Sequence, residues 1–176
     1  MQYDSILIVK DIVIAVAAFA GMGLGFLNFW NEQQKEKVKL KVMPKAVFGK
    51  GRNADGRELV LTTLNEFNEK KSQGIFCVEV LNLSKFPVII DEVGFFAKKS
   101  KNRMTIANPI LGDGGSWPRK LEPRESVSVY GSLQDMMSSN LSRNIYCAFA
   151  ETSCGQTAKG TSPALGQFVD AVKKSA

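Results

Sequence analysis

The sequence predicts a mainly β protein, in which one N-terminal transmembrane helix precedes a small β-sandwich, or a small barrel, with one or two short helices. Three observations predict this fold class. Residues 12–30 are an apolar run long enough to cross a bilayer. From Val38 onward, apolar residues alternate with polar ones, which is typical of strands. The strand patterns then recur roughly every ten residues with turn residues between them, as in sandwiches and barrels.

The apolar run begins at Ile12 and ends at Trp30, and Asn28 is its only strongly polar residue. As an α-helix it would measure about 28 Å, which is close to the thickness of the hydrocarbon core of a bilayer. Aromatic residues such as Phe29 gather at its C-terminal end, where membrane helices carry an interfacial belt. This pattern indicates a membrane anchor that follows a short flank, residues 1–11.

Two alternatives to an anchor remain open. A buried core helix is rarely so long and so uniformly apolar. A secretory signal peptide would be cleaved near Ala18-Phe19-Ala20, which has the small-x-small pattern of a cleavage site. Its leader, however, would carry two aspartates, and the apolar run continues for ten residues beyond that site. These features favour the retained anchor.

Basic residues concentrate directly after the anchor. Residues 31–52 contain seven Lys or Arg and two Glu, a net charge of +5 out of +6 for the chain, whereas only Lys10 precedes the span. Because positive residues mark the cytoplasmic side, we predict an N-terminus outside and a C-terminal domain in the cytoplasm, with a bacterial inner membrane as the setting. The placement also favours anionic lipid headgroups over nucleic acid as the partner. We therefore predict a juxtamembrane linker over 31–37 and membrane-surface contacts at Trp30, Lys35, Lys37, Lys39 and Lys41.

Small residues form a stripe along the anchor. Ala17, Gly21 and Gly25 are four residues apart and share one helix face, which would let a second helix approach until the backbones touch. Gly23 lies about 200° from Gly21 around the helix and opens the opposite side. Glycine is also simply more frequent in membrane helices than in soluble ones. We predict that these four residues mediate helix association, with a copy of the chain or with a partner membrane protein.

The soluble part is predicted to form one β-domain over 38–160, followed by an amphipathic helix within 161–176. A turn-rich loop is expected at 48–56, and a strand followed by a helix at 58–71. A short helix, which Ser132 would cap, is expected over 132–141. The strand patterns lie at 38–42, 75–81, 86–97, 103–107, 125–130, 144–151 and 156–160.

The segment CVEVLNLSKFPVIIDEVGF, residues 77–95, resembles the paired central strands of immunoglobulin-like sandwiches. The resemblance concerns the layout of strands over roughly 38–160, because the Cys–Trp–Cys core pattern of that family is missing. It implies two packed antiparallel sheets, and it implies no particular function.

The residue types needed for common catalytic sites are scarce. The chain has no histidine, which removes the most frequent general base and metal ligand. Its three cysteines have spacings that do not fit a structural zinc site. We predict no metal, no cofactor and no enzymatic activity, with reduced thiols in a cytosolic domain. The open alternative is a periplasmic or secreted β-domain in which Cys147 and Cys154 form a disulfide.

A glycine-rich loop at 112–119 is the remaining candidate for binding. It lacks the Gly-Lys-Ser/Thr of a phosphate loop, and prolines follow it instead of a helix. Trp117 could serve as a flat anchor for a partner, or it could fold back as a lid on the sandwich. Basic residues around it could bind anions. The candidate partner- or ligand-binding residues are therefore Trp117, Arg119, Lys120 and Arg124.

These observations favour a non-catalytic, single-pass membrane protein. Its helix would associate with itself or with partner helices, and its cytoplasmic β-domain would mediate protein interactions. One alternative is a membrane-anchored sensor-effector that binds a small anionic ligand through the loop around Trp117. The other is the exported, disulfide-bonded β-domain described above. No interaction with nucleic acid is expected under any of the three.

Overall fold

The structure, a computed structural model, describes residues 2–52, 58–72, 74–98, 103–139 and 141–174, with the backbone alone at 2–13, 33–35, 52 and 58–59. The chain divides into two compact units, Met1–Lys37 and Val38–Ala176. The first unit is one helix. The second is mainly β, with two sheets and two short helices.

Helix α1 runs from Gln2 to Lys35. Within it, residues 14–32 are long and apolar enough to cross a membrane, and none of them is buried. The helix is longer than the predicted span, because it also includes residues 2–11 and 31–35. The helix therefore extends beyond both ends of the predicted span. The residues of 31–35, NEQQK, include good helix formers and no Gly or Pro, so the helix continues past the end of the apolar run.

The second unit folds as two five-stranded sheets, all of whose strand pairs are antiparallel. In the first sheet the order is β2-β1-β3-β8-β6, and in the second it is β10-β9-β4-β5, with β7 also paired to β4. The strands are β1 (Leu40–Arg52), β2 (Glu58–Thr63), β3 (Ile75–Asn82), β4 (Val88–Ala97), β5 (Arg103–Thr105), β6 (Ile110–Leu111), β7 (Arg119–Leu121), β8 (Ser126–Ser132), β9 (Ile145–Thr152) and β10 (Thr157–Gly160).

Alternation along each strand decides which side chains enter the core between the sheets. In β3, Phe76, Val78 and Val80 are fully buried in the main core, whereas Glu79 points to the outer face and pairs with Lys45 of β1. The strand predicted at 75–81 is therefore confirmed.

Two helices complete this unit. Helix α2 (Leu133–Ser138) begins at the predicted cap, where Ser132 Oγ accepts a hydrogen bond from the Asp135 amide at 3.3 Å. Helix α3 (Pro163–Lys174) places its apolar face in the main core. The ring of Phe168 lies 5.6 Å from that of Phe76. The helix predicted within 161–176 is thus part of the β-domain and no separate appendage.

The structure corrects two further predictions and adds two short strands. Residues 48–52 belong to β1 and not to a loop, while 53–57 lie outside the described residues. The helix predicted after β2 is a series of turns, because the Phe67 ring packs 5.3 Å from that of Phe168 and the Asn68 side chain accepts the Lys70 amide at 3.1 Å, as in an Asx turn. Strands β6 and β7 were not predicted, because two or three residues are too few to show an alternation of apolar and polar side chains.

Candidate functional site

The small-residue face of α1 is open. A Cβ placed on Gly21, Gly23 or Gly25 would meet nothing within 4 Å. Ala17 on the same face is exposed. The large apolar residues around the stripe are exposed as well, including Phe19 at 73% and Met22 at 69%. The helix therefore offers an apolar surface with a shallow groove at the glycines.

The predicted membrane-surface residues follow at the C-terminal end of the helix and beyond. Trp30 is exposed, and its ring lies 6.2 Å from that of Phe26. Lys37, Lys39 and Lys41 are all exposed, whereas the side chain of Lys35 lies outside the described residues. Of the three described lysines, the last two are fixed to the β-domain, because Lys41 lies in β1 and Lys39 directly precedes it.

A buried asparagine organises the end of the domain at which β1 begins, and no sequence pattern predicted it. Asn82 is fully buried, and its side-chain amide donates to the carbonyls of Phe86, Leu121 and Glu122 at 2.9–3.3 Å. Its Oδ1 accepts the amide of Ser84 at 2.8 Å. One side chain therefore braces the turn over 83–87 and the turn over 122–125.

The same turn holds the segment that enters the domain. The Lys39 amide donates to Ser84 Oγ at 2.8 Å, and the Leu83 amide donates to the Lys39 carbonyl at 2.7 Å. The entry point of the chain is thus a fixed part of the β-domain from Lys39 onward.

Trp117 lies half-buried against the main core. Its Nε1 donates to the carbonyl of Asp91 in β4 at 3.0 Å, and its bond to Pro118 is cis. The indole therefore closes the side of the sandwich next to β4, with its polar atom already satisfied.

The basic residues of the same loop divide into two groups. Arg119 pairs with Asp113 at 2.5 Å and with Glu125 at 3.5 Å, and Lys120 pairs with Glu122 at 2.7 Å. Arg124 is exposed, and none of the described residues forms an ion pair with it. The structure therefore does not gather the predicted loop residues into one cationic cluster, because two of the three cations are matched by acidic neighbours.

The three cysteines are free and separate. Burial raises the pKa of the Cys77 thiol to about 12, and burial also raises the pKa of Cys147. Cys154 is exposed in the turn between β9 and β10, six residues along from the pair Ala148–Gly160 that neighbours Cys147. At about 3.3 Å per residue that distance is far beyond the reach of a disulfide. The alternative of a Cys147–Cys154 bridge is therefore wrong.

A charged and aromatic cluster on the outer face of the second sheet was also missed. Arg103 pairs with Glu92 at 2.6 Å and with Glu151 at 2.5 Å, and its guanidinium lies 5.4 Å from the ring centre of Phe149. Lys159 lies 4.7 Å above the ring of Phe96 in the same way. The charges satisfy each other and cover the rings, so this cluster stabilises the sheet face. Sequence reasoning could not find it, because it joins residues from four strands.

Among the described residues, no group of three or more Cys, Asp or Glu is placed to hold a metal ion. No family model, curated protein or solved structure matches this chain.

Proposed function

We propose that this chain is a non-catalytic, single-pass membrane protein whose helix associates with another helix and whose β-domain mediates protein interactions. The observation that carries the proposal is the exposure of the apolar side chains of α1. Residues 14–32 expose every one of their apolar side chains, and the glycine face has open space around it. A helix of this composition is stable only when lipid or another helix covers it.

The proposal includes the direction of insertion. The excess of lysines after the span places the β-domain in the cytoplasm and the N-terminus outside, with a bacterial inner membrane as the setting. The thiols of the β-domain are compatible with a reducing compartment, since all three are unpaired in the structure.

For the β-domain, we propose an immunoglobulin-like layout. The neighbours β1-β3-β8-β6 and β10-β9-β4 follow the strand orders A-B-E-D and G-F-C of that layout when β2, β5 and β7 are treated as additions. Such a domain needs no catalytic site, and its role would be to present sheet faces and loops to a partner protein. Burial raises the pKa values of Cys77 and Cys147, so neither thiol has the lowered pKa that is typical of a nucleophilic cysteine.

Crosslinking in native membranes tests the association of the helix. We expect the wild-type chain to give crosslinked oligomers, and we expect Gly21→Leu with Gly25→Leu to weaken association on the order of tenfold, because leucine fills the groove. Met22→Leu is the matched control, since it adds leucine to a position that is exposed but off the stripe.

The result would go against self-association if the double variant gave the same oligomers as the control. Alkaline carbonate extraction of the same membranes tests the anchor itself. Release of the chain into the soluble fraction would contradict a membrane-spanning α1.

A further inference from the structure

We infer that the end of the β-domain where Lys39 meets the turn over 83–87 is a docking surface for anionic lipid headgroups, which fixes the domain in one orientation on the bilayer. The inference rests on the proposed membrane anchor, and it adds a lipid-binding surface formed by Lys39, Leu83, Lys85 and Arg124. This surface is called the entry surface below.

The length of the linker brings the entry surface within reach of the membrane. Helix α1 ends at Lys35 and the chain is hydrogen-bonded to the β-domain at Lys39, so only residues 36–38 lie between these two points, and Val38 already packs against the main core. The two ends of that segment can be at most about 14 Å apart. Trp30 precedes Lys35 by one and a half turns, about 8 Å of helix, which is comparable to the depth of a headgroup layer. The Lys39 end of the domain therefore stays close to the headgroups.

The charge of the entry surface is positive and uncompensated. The side chains of Lys39, Lys85 and Arg124 are exposed, and none forms an ion pair with any residue that the structure describes. The nearby carboxylates of Glu122 and Glu125 are already occupied by Lys120 and Arg119. The uncompensated cations match an anionic lipid surface.

The backbone at Arg124 is a second, independent sign. Its φ is +69°, and it is the only non-glycine residue with positive φ in the described part of the chain. Glycine would adopt this conformation without strain, so an arginine here stores strain that a purely structural turn would avoid. The Arg124 amide donates to the Asn82 carbonyl at 2.9 Å, which holds the turn in place. The strained turn thus presents a cation at the same end of the domain as the turn that carries Lys85.

The turn over 83–87 adds an apolar contact. Leu83 is 37% exposed at the point where its amide binds the Lys39 carbonyl. A leucine flanked by lysines suits the boundary between headgroups and acyl chains. Because Asn82 and Ser84 fix this turn, the domain would meet the membrane with a preformed surface.

The test uses the full chain in nanodiscs of neutral phosphatidylcholine, or of phosphatidylcholine with phosphatidylglycerol. The readout is the rate at which a water-soluble acylating reagent modifies each lysine, measured by mass spectrometry. We expect Lys85 to react about fivefold more slowly in the anionic nanodiscs, the effect of one basic residue at an anionic surface. Lys70 is the internal control, because it is exposed in the turns at the opposite end of β3. High salt should abolish the difference.

Arg124→Gly separates docking from folding. Glycine relieves the positive φ, so the variant should resist unfolding at least as well as the wild type, yet it should lose most of the protection of Lys85. Lys70→Gln is the matched control and should leave that protection unchanged.

Equal reaction rates of Lys85 in the two kinds of nanodisc would overturn the inference, because the entry surface would then not contact anionic headgroups. An equal slowing of Lys70 would also overturn it. If the chain failed to enter neutral nanodiscs at all, the proposed anchor would be wrong, which is a different and separately visible result.

Discussion

Glycines serve opposite purposes in the two units of this protein. In α1, a methyl group added to Gly21, Gly23 or Gly25 would meet nothing within 4 Å. In the β-domain, a Cβ on Gly160 would collide with the carbonyl group of Val42, and a Cβ on Gly94 would lie 2.9 Å from the Cα of Thr105 and closer still to the Met104 carbonyl oxygen. The helix glycines leave a surface open, whereas the domain glycines let two backbones touch.

The comparison shows how the two units bury apolar surface. The β-domain buries it internally, because its phenylalanines pack against one another between the sheets, as Phe76 and Phe95 do edge to face with ring centres 6.1 Å apart. The helix buries none of its apolar residues over 14–32. The stability of the domain is therefore a property of its own packing, while that of the helix depends on what surrounds it.

The largest expected effect concerns Gly160. We expect Gly160→Ala to lower the free energy of unfolding of the β-domain by about 3 kcal/mol, because the methyl group forces β10 away from the backbone of β1. Denaturant titration of the chain in detergent measures this loss. Gly166→Ala is the matched control, since its Cβ would meet nothing in α3, and it should stabilise by roughly 0.5–1 kcal/mol. Equal effects of the two substitutions would contradict the close approach.

A smaller effect should appear at alkaline pH. Burial raises the pKa of Cys77 to about 12 from its ordinary value of 9.0, so the folded state holds the proton more tightly than the unfolded state. The stabilisation is complete below pH 9 and is lost as the pH rises from 9 toward 12, by roughly 1 kcal/mol per pH unit. Denaturant titrations at pH 9, 10 and 11 measure the slope.

Cys77→Ala is the control for that experiment. It should be less stable than the wild type at pH 7, because it leaves a small cavity, but its stability should fall less steeply above pH 9. Parallel slopes for the two proteins would show that the thiol is not buried in the folded state.

The smallest expected effect concerns the helix. Gly23→Ala should change the free energy of unfolding of the β-domain by less than about 0.5 kcal/mol, because the two units are separately compact. The same denaturant titration checks this. A loss comparable to that of Gly160→Ala would mean that the domain depends on α1 for its fold.

Most strands and the two terminal helices could be predicted from the sequence. The alternation of Val127 and Val129 with serines, and the spacing of Leu165, Phe168 and Val172, each indicate an element within a few residues of its observed bounds. Short elements without a period were missed. The turns after β2 were mistaken for a helix because Phe67 faces the core from an irregular segment, and periodicity cannot distinguish the two.

The candidate sites were predicted only in part. The small-residue face of α1 could be predicted from the spacing of Ala17, Gly21 and Gly25, because any α-helix places residues four apart on the same face. The loop around Trp117 was expected to offer several free cations, yet Arg119 is matched by Asp113 and Glu125. Asp113 and Glu125 lie six residues on either side of Arg119, outside the strands, so only the folded course of these loops decides that their carboxylates reach it.

The sequence by itself determined the elements whose cause is local. These are the apolar helix with its small-residue stripe, the lysines that follow it, and the strands with their two faces. Each of them depends on residues that are only a few positions apart in the chain. Only the tertiary structure decided which strands pair and why position 160 in β10 must be glycine. It also decided how Asn82 joins Ser84, Phe86 and Leu121 in one hydrogen-bond network. The most distant of these contacts, between Gly160 and Val42, joins residues more than a hundred positions apart in the chain, so no local pattern encodes it. The docking surface at the domain entry belongs to this second class, because the chain folds Lys39, Lys85 and Arg124 together.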